Sequence, residues 1–153
     1  MGRHIPCAIG RAGFAGDKRE GDGATPIGRF RLVAVWWRAD RLARPRLGTA
    51  GLPLRRIGPR LGWCDAPGDA AYNRAVRWPH RASAERMRRG DRLYDIVAVT
   101  DHNAAGVPGA GSAIFLHVRR GSGPRTAGCV AFRRDHLLWI LSRWRGGWIV
   151  LGA

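Results

Sequence analysis

Apolar and polar positions alternate over several short stretches of this chain, and helical periods are rare. Residues 29–37, RFRLVAVWW, alternate in part and are rich in β-formers, so a strand is expected there. Residues 93–100, LYDIVAVT, read as a second strand. In residues 112–119, SAIFLHVR, alternation puts Ile114, Leu116 and Val118 on one face and Ala113, Phe115 and His117 on the other. Short strands are also expected at residues 3–9 and in the closing WIVLG. One segment has a clear helical period: residues 135–144, DHLLWILSRW, with Leu137, Leu138, Leu141 and Trp144 on one face and Asp135 as the cap. Ser83 can cap a shorter helix running to about Arg89. Residues 10–28 read as a Gly-rich loop, and residues 38–80 as irregular. No repeat or linker breaks the chain. The expectation is a single mainly β domain over 1–153, a β-sandwich or barrel-like fold with one or two helices.

Composition sharpens this picture. The chain has 153 residues, 45% of them hydrophobic, which suits one domain with a real core and excludes wholesale disorder. Its 22 glycines and 9 prolines fit many turns better than a helical bundle. The 27 basic residues against 11 acidic give a formal charge of +16. Such a surface attracts polyanions: nucleic acid, anionic lipid or an acidic cell-wall polymer. Only Lys18 is a lysine, and an arginine bias of this kind also arises from a GC-rich genome with no functional demand. No stretch approaches the ~20 apolar residues of a membrane helix, and the few apolar residues before Gly10 are too short a run for the core of a secretory signal.

The three cysteines, Cys7, Cys64 and Cys129, form no C-x-x-C pair, which argues against a zinc ribbon or a thioredoxin-like site. Cys7 and Cys64 can pair in an oxidising compartment, but two buried free thiols are the favoured reading. The informative stretch is His117 to Cys129. Gly121, Gly123 and Pro124 let the chain turn back, so the imidazole and the thiol can meet. A cysteine nucleophile needs such a partner, because the thiolate is the reactive form. Gly128 permits a tight bend that can aim amide N–H groups at an oxyanion, and the surrounding arginines are expected to lower the thiol pKa. A cysteine after glycine is also the pattern of a small buried residue, and a histidine in an apolar strand that of a satisfied core group.

Several blocks in order are similar to one family. DKREGDGATPIGRFRL resembles the lysine, glycine and T-P-x-G-x-F region of the L,D-transpeptidase (YkuD-like) catalytic domain. SAIFLHV resembles the strand that ends in that family's histidine, and TAGCVAF resembles its S/T-x-G-C nucleophile motif. Together they span most of residues 5–132. Ala127 stands where well-known members carry histidine, and Ala131 where arginine or asparagine is common. These departures touch substrate positioning more than the nucleophile. WCDAPGDAAYN, RWPHRASAE and LYDIVAV resemble a short, domain-only proteobacterial branch associated with cross-links from L-alanine at the first stem position to diaminopimelate at the third.

The resemblance implies a periplasmic enzyme of the cell envelope acting on peptidoglycan stem peptides, with no metal and no cofactor. Cys129 would attack the L-centre carbonyl of an L,D peptide bond, His117 would move the proton, and N–H groups near Gly128 and Cys129 would hold the oxyanion. A diaminopimelate side-chain amine then takes the acyl group; water in its place gives L,D-carboxypeptidase or endopeptidase activity. Thr126 is a candidate beside the catalytic pair. Arg119, Arg120 and Arg125 are the best candidates for binding stem carboxylates. His80, Trp63, Asp65, Tyr72 and Asn73 are further candidates for lining the cleft, on loops held by a rigid scaffold. His102 and Asn103 read as a turn, and Lys18, Glu20 and Asp22 as structural. A non-catalytic basic module that binds cell-wall polymer is a rival reading. Nucleic-acid binding is not expected: the tryptophans match no reader motif, and Trp36, Trp37, Trp139, Trp144 and Trp148 sit in predicted elements as core candidates. The oligomeric state is open.

Overall fold

Alternation in three neighbouring strands, each buried on both sides, builds the centre of the molecule. The computed structural model describes residues 3–119, 121 and 125–152. The first third holds β1 (Cys7–Gly10), β2 (Phe14–Ala15), β3 (Thr25–Pro26), β4 (Gly28–Phe30) and β5 (Leu32–Trp37). Then come β6 (Leu54–Arg56), β7 (Leu61–Cys64), β8 (Ala75–Arg77), β9 (Ala84–Arg86) and β10 (Ile96–Thr100). The last third holds β11 (Phe115–Val118), β12 (Arg125–Thr126), β13 (Val130–Phe132), α1 (Arg134–Arg143) and β14 (Ile149–Leu151). The mainly β expectation holds, with one helix among the described residues.

Seven strands form the main sheet in the order β12-β1-β13-β11-β10-β5-β6. Strand β10 runs antiparallel to β5 and β11, while β11 and β13 run parallel, with His117 opposite Ala131. Period-two alternation sorts their side chains into two cores. Val35, Trp37, Ile96, Ala98, Leu116, Val118 and Val130 pack on one face against Leu137 and Leu141 of α1. Trp36, Val97, Val99 and Phe115 pack on the other against Leu61, Trp63 and Met87 of the small antiparallel sheet β8-β7-β9. The predicted faces of β11 are those observed for Leu116, Val118 and Phe115. Among the described residues no helix is long and apolar enough to cross a membrane.

Several local expectations are corrected. The helix predicted from Ser83 to about Arg89 is absent: residues 84–86 are strand β9, with Glu85 opposite Trp63 and Ala84 opposite Cys64. A seven-residue helix is a weak nucleus, and sheet pairing with burial of Met87 outweighs one capping residue. The segment 38–80 is not irregular throughout, since β6, β7 and β8 lie in it, and the loop 10–28 contains β2 and β3. The strand expected at 29–37 is two strands, because β4 leaves the main sheet to pair with β14. Asp135 is not the cap of α1. Arg133 holds that place without a side-chain capping bond, and Asp135 sits in the first turn, bonded to Arg133 at 3.2 Å. Trp148 is half exposed under the Arg31 guanidinium rather than in the core, and Cys7 is exposed rather than buried.

Helix α1 is held by few contacts of high value. Leu137 and Leu141 are its two buried residues, and both are wholly inaccessible to solvent. Leu141→Ala is therefore expected to cost about 2–5 kcal/mol in urea unfolding, the range for a large core side chain cut to a methyl group. Leu138→Ala, on the same helix but only partly buried, should cost less.

Candidate active site

Parallel pairing of β11 and β13 brings the histidine and cysteine regions together although a loop separates them in the chain. His117 and Cys129 line the same cavity, of 410 Å³, with Arg11, Arg89, Arg119 and Arg125. Cys129 also lines a second lobe of 220 Å³ with Lys18, Glu20, Asp65 and Glu85, which His117 does not enter. Arg11, Glu85, Tyr94, Ala127 and Cys129 belong to both. A larger cavity of 650 Å³ contains neither His117 nor Cys129 and adjoins the first through Leu93 and Arg119.

The turn before Cys129 is tightly fixed. Gly128 has φ +146°, and a Cβ there would lie 2.8 Å from the carbonyl oxygen of Ala24, so only glycine fits. Its carbonyl accepts the Thr25 hydroxyl at 2.8 Å, and the same hydroxyl accepts the Gly10 N–H at 2.8 Å. Thr126 Oγ1 donates to the Cys129 carbonyl at 2.6 Å and accepts the Gly128 N–H at 3.1 Å. That commits the Gly128 amide, which was expected to serve an oxyanion, to holding the turn.

Burial disfavours the charged forms of both Cys129 and His117. Cys129 Sγ donates to the Ala113 carbonyl at 3.0 Å and accepts the Phe115 N–H at 3.4 Å. Burial pushes its pKa up to about 12; the Phe115 N–H and the Lys18 charge pull it down, and the Glu85 carboxylate raises it. The thiol pKa expected to be lowered by nearby arginines is instead raised: burial is the largest cause, and no arginine is among the causes. Burial also lowers the His117 pKa, against the Val118 carbonyl, which raises it. His117 Nδ1 lies 2.8 Å from that carbonyl, which can only accept. The proton therefore sits on Nδ1, and Nε2 carries the lone pair. Tyr94 packs edge-on to the imidazole at 5.4 Å and donates to Glu85 at 2.8 Å.

The family model for the L,D-transpeptidase catalytic domain, YkuD, matches residues 2–150. The chain belongs to the YkuD family. It is thus an L,D-transpeptidase catalytic domain, of a family that acts on peptidoglycan. No curated protein and no solved structure shows a significant match to it.

Against this family background the expected site residues fall into groups. Thr126, Arg119 and Arg125 line the lobe of His117, and Asp65 and Gly128 line the other. Arg120 lies outside the described residues, as do Gly123 and Pro124 of the same loop. Trp63, Tyr72, Asn73 and His80 line neither lobe. Trp63 is core, 5.0 Å edge-on to Phe115. Asn73 acts as a brace: its Oδ1 accepts from Trp63 Nε1 and from the Ala113 N–H, both at 3.0 Å. Its Nδ2 donates to the carbonyls of His102 and Asn103. Tyr72 donates a short hydrogen bond to Glu20, a wall of the second lobe. His80 faces Asp69 at 3.4 Å. Cys64, Asp69 and His80 bring metal-ligand atoms within 4.8 Å of one another, but Arg81 and the Ala71 N–H already occupy the Asp69 oxygens.

Sequence reasoning missed Arg11, Arg89, Glu85 and Tyr94, and took Lys18 and Glu20 as structural only. Lys18 has a nearly buried side chain tied to Asp22, and it still lines the second lobe.

Two outcomes test this geometry. Thr25→Val leaves the Gly10 N–H and the Gly128 carbonyl without their shared partner, and should cost about 1–3 kcal/mol in urea unfolding. In a Cys7→Ala background, which removes the exposed thiol, the carboxamidomethylation rate of Cys129 should follow its thiolate fraction. Because folding raises this pKa, the neutral thiol dominates through the neutral range. The rate should climb about tenfold per pH unit from pH ~7 to ~10 without a plateau. A plateau near neutral pH would show a preformed thiolate–imidazolium pair instead.

Proposed function

We propose that the protein is a cysteine L,D-transpeptidase of the bacterial periplasm, with Cys129 as nucleophile and His117 as its base. The observation that carries this reading is the shared cavity: a thiol and an imidazole whose Nδ1 faces a backbone carbonyl, lined also by four arginines. A stem peptide carries several carboxylates, and Arg11, Arg89, Arg119 and Arg125 suit their capture. The carbonyl of the L-residue enters beside Cys129, and His117 Nε2 takes the thiol proton as sulfur attacks. The tetrahedral oxyanion is held by the Cys129 N–H. Collapse expels the D-residue amine, which receives the proton from His117 and leaves a thioester. A diaminopimelate side-chain amine then attacks the thioester, and an amide cross-link replaces the C–S bond.

The resting thiol proton points at the Ala113 carbonyl, so attack requires it to turn towards His117. A buried neutral thiol reacts slowly with water-borne electrophiles and is activated only when a substrate fills the cavity. The cross-link we favour joins L-alanine at the first stem position to diaminopimelate at the third. Its support is the short-branch resemblance and Ala127, whose methyl group lines both lobes where other members carry an imidazole.

The test is incubation of purified peptidoglycan with the wild-type protein, Cys129→Ala and His117→Gln, followed by muropeptide separation and mass spectrometry. New cross-linked dimers are expected with the wild type and none with Cys129→Ala. His117→Gln should lose about 10²–10⁴-fold in rate, the range for a positioned proton-transfer group. Tandem fragmentation identifies the donor residue. Shortened monomers without dimers would make the enzyme a hydrolase. Identical profiles for wild type and Cys129→Ala would leave the basic cell-wall-binding module.

A further inference from the structure

The two lobes that meet at Cys129 differ in charge. The lobe of His117 carries four arginines, and its one carboxylate among the described residues is Glu85, which it shares. The lobe without His117 carries Glu20, Asp65 and Glu85, against Arg11 and Lys18. Lys18 is ion-paired with Asp22, and Glu85 with Arg89. Tyr72 engages Glu20.

Asp65 and Glu85 come from paired strands. Glu85 lies opposite Trp63 on β7 and β9, and Asp65 is two residues beyond Trp63, so the two carboxylates are diagonal neighbours on one face. Asp65 Oδ1 is buried and has no hydrogen-bond partner. A buried carboxylate oxygen left this way is costly unless a ligand meets it. On Glu85, Tyr94 donates to Oε1 at 2.8 Å, and Arg89 lies 3.6 Å from the same oxygen. Burial and the nearby Asp65 and Asp91 charges raise the Glu85 pKa, against the Tyr94 hydroxyl and the Arg89 guanidinium, which lower it. Two converging acceptors beside the nucleophile match a group that is all donor. A primary ammonium has three N–H donors and no acceptor.

We propose that Asp65 and Glu85 form the binding site for the protonated amine of the acceptor peptide, and that Glu85 takes the first proton this amine must lose. The proposal rests on the acyl-enzyme reading above. The ammonium enters with three protons and ends as an amide N–H with one. One proton passes to the Glu85 carboxylate, freeing the nitrogen lone pair to attack the thioester carbonyl. The second leaves the tetrahedral intermediate through His117 to Cys129 sulfur as the C–S bond breaks, regenerating the thiol. The charge split then sorts the substrates: carboxylate-rich donor stems to the arginine lobe, the acceptor ammonium to the carboxylate lobe.

The experiment offers two acceptors to the acyl-enzyme formed on a tetrapeptide stem: a diaminopimelate tripeptide, cationic at its amine, and hydroxylamine, neutral at neutral pH. Wild type, Glu85→Gln, Asp65→Asn and, as a charge-matched control on an exposed pair, Asp17→Asn are compared by intact mass and product analysis. Glu85→Gln and Asp65→Asn should each lower the ratio of tripeptide to hydroxylamine product by about tenfold, the size of one charge-assisted contact. Glu85→Gln should also raise the apparent KM for the tripeptide. Asp17→Asn should match the wild type. An unchanged ratio in both variants overturns the proposal, as does equal loss with both acceptors or loss of thioester formation, since the carboxylates would then serve the nucleophile or the fold. Absence of any thioester on the wild-type protein overturns the acyl-enzyme reading itself, and this proposal with it.

Discussion

The hydroxyl of Thr25 joins three parts of the chain that have no local reason to meet. It is fully buried, accepts the Gly10 N–H at the end of β1, and donates to the Gly128 carbonyl. The glycines at both ends are forced. A Cβ on Gly10 would lie 2.4 Å from the Gly23 carbonyl oxygen, and one on Gly128 2.8 Å from that of Ala24. Close backbone approach on both sides of one hydroxyl therefore sets where the turn before Cys129 sits. The Gly-rich segment is the other half of this clamp rather than a passive loop. That is why Lys18 and Glu20, near its middle, reach the walls of the second lobe.

A second brace acts from the opposite side. Asn73 has φ +56° and Ala113 φ +53°, two left-handed non-glycine residues joined by one hydrogen bond. Such backbone is unfavourable for alanine and persists only where its surroundings over-determine it. Asn73 supplies that determination with four bonds, to Trp63, Ala113, His102 and Asn103. The result is an Ala113 carbonyl aimed at the Cys129 thiol. Asn73 thus acts on the site at one remove, and local sequence gives no way to tell that from lining it.

What the sequence made legible was whatever depends on local period and on ordered motifs. Strand β11, with Leu116 and Val118 on one face and Phe115 on the other, follows from alternation, and α1 from its apolar face. The place of His117 before Cys129 follows from the blocks around them. Residues 84–86 were illegible because Ser83 and the charges after it suit a helix, while pairing with β7 is a tertiary gain. Arg11, Glu85, Arg89 and Tyr94 were illegible because strand order, not chain order, assembles the two lobes. The thiol pKa was misread for a related reason. Arginines are visible in a sequence, whereas desolvation depends on packing that it does not display.

If Cys129 is the proposed nucleophile, its burial has a consequence for selectivity. A thiolate kept ready by cationic neighbours would react with many electrophiles. Here desolvation disfavours the thiolate, and the proton rests on a backbone carbonyl while His117 keeps its lone pair. Neither group is charged at rest, so neither carries the cost of an unpaired buried ion. The charges of the site stand at its walls instead, arginines in one lobe and carboxylates in the other. A substrate that satisfies those walls brings its carbonyl to the sulfur and excludes water as it does so. Substrate binding, rather than a preformed ion pair, then supplies the free energy for proton transfer. Peptides that leave the walls unsatisfied do not gain that activation, which is how a basic surface with general affinity for anions can be compatible with a selective reaction.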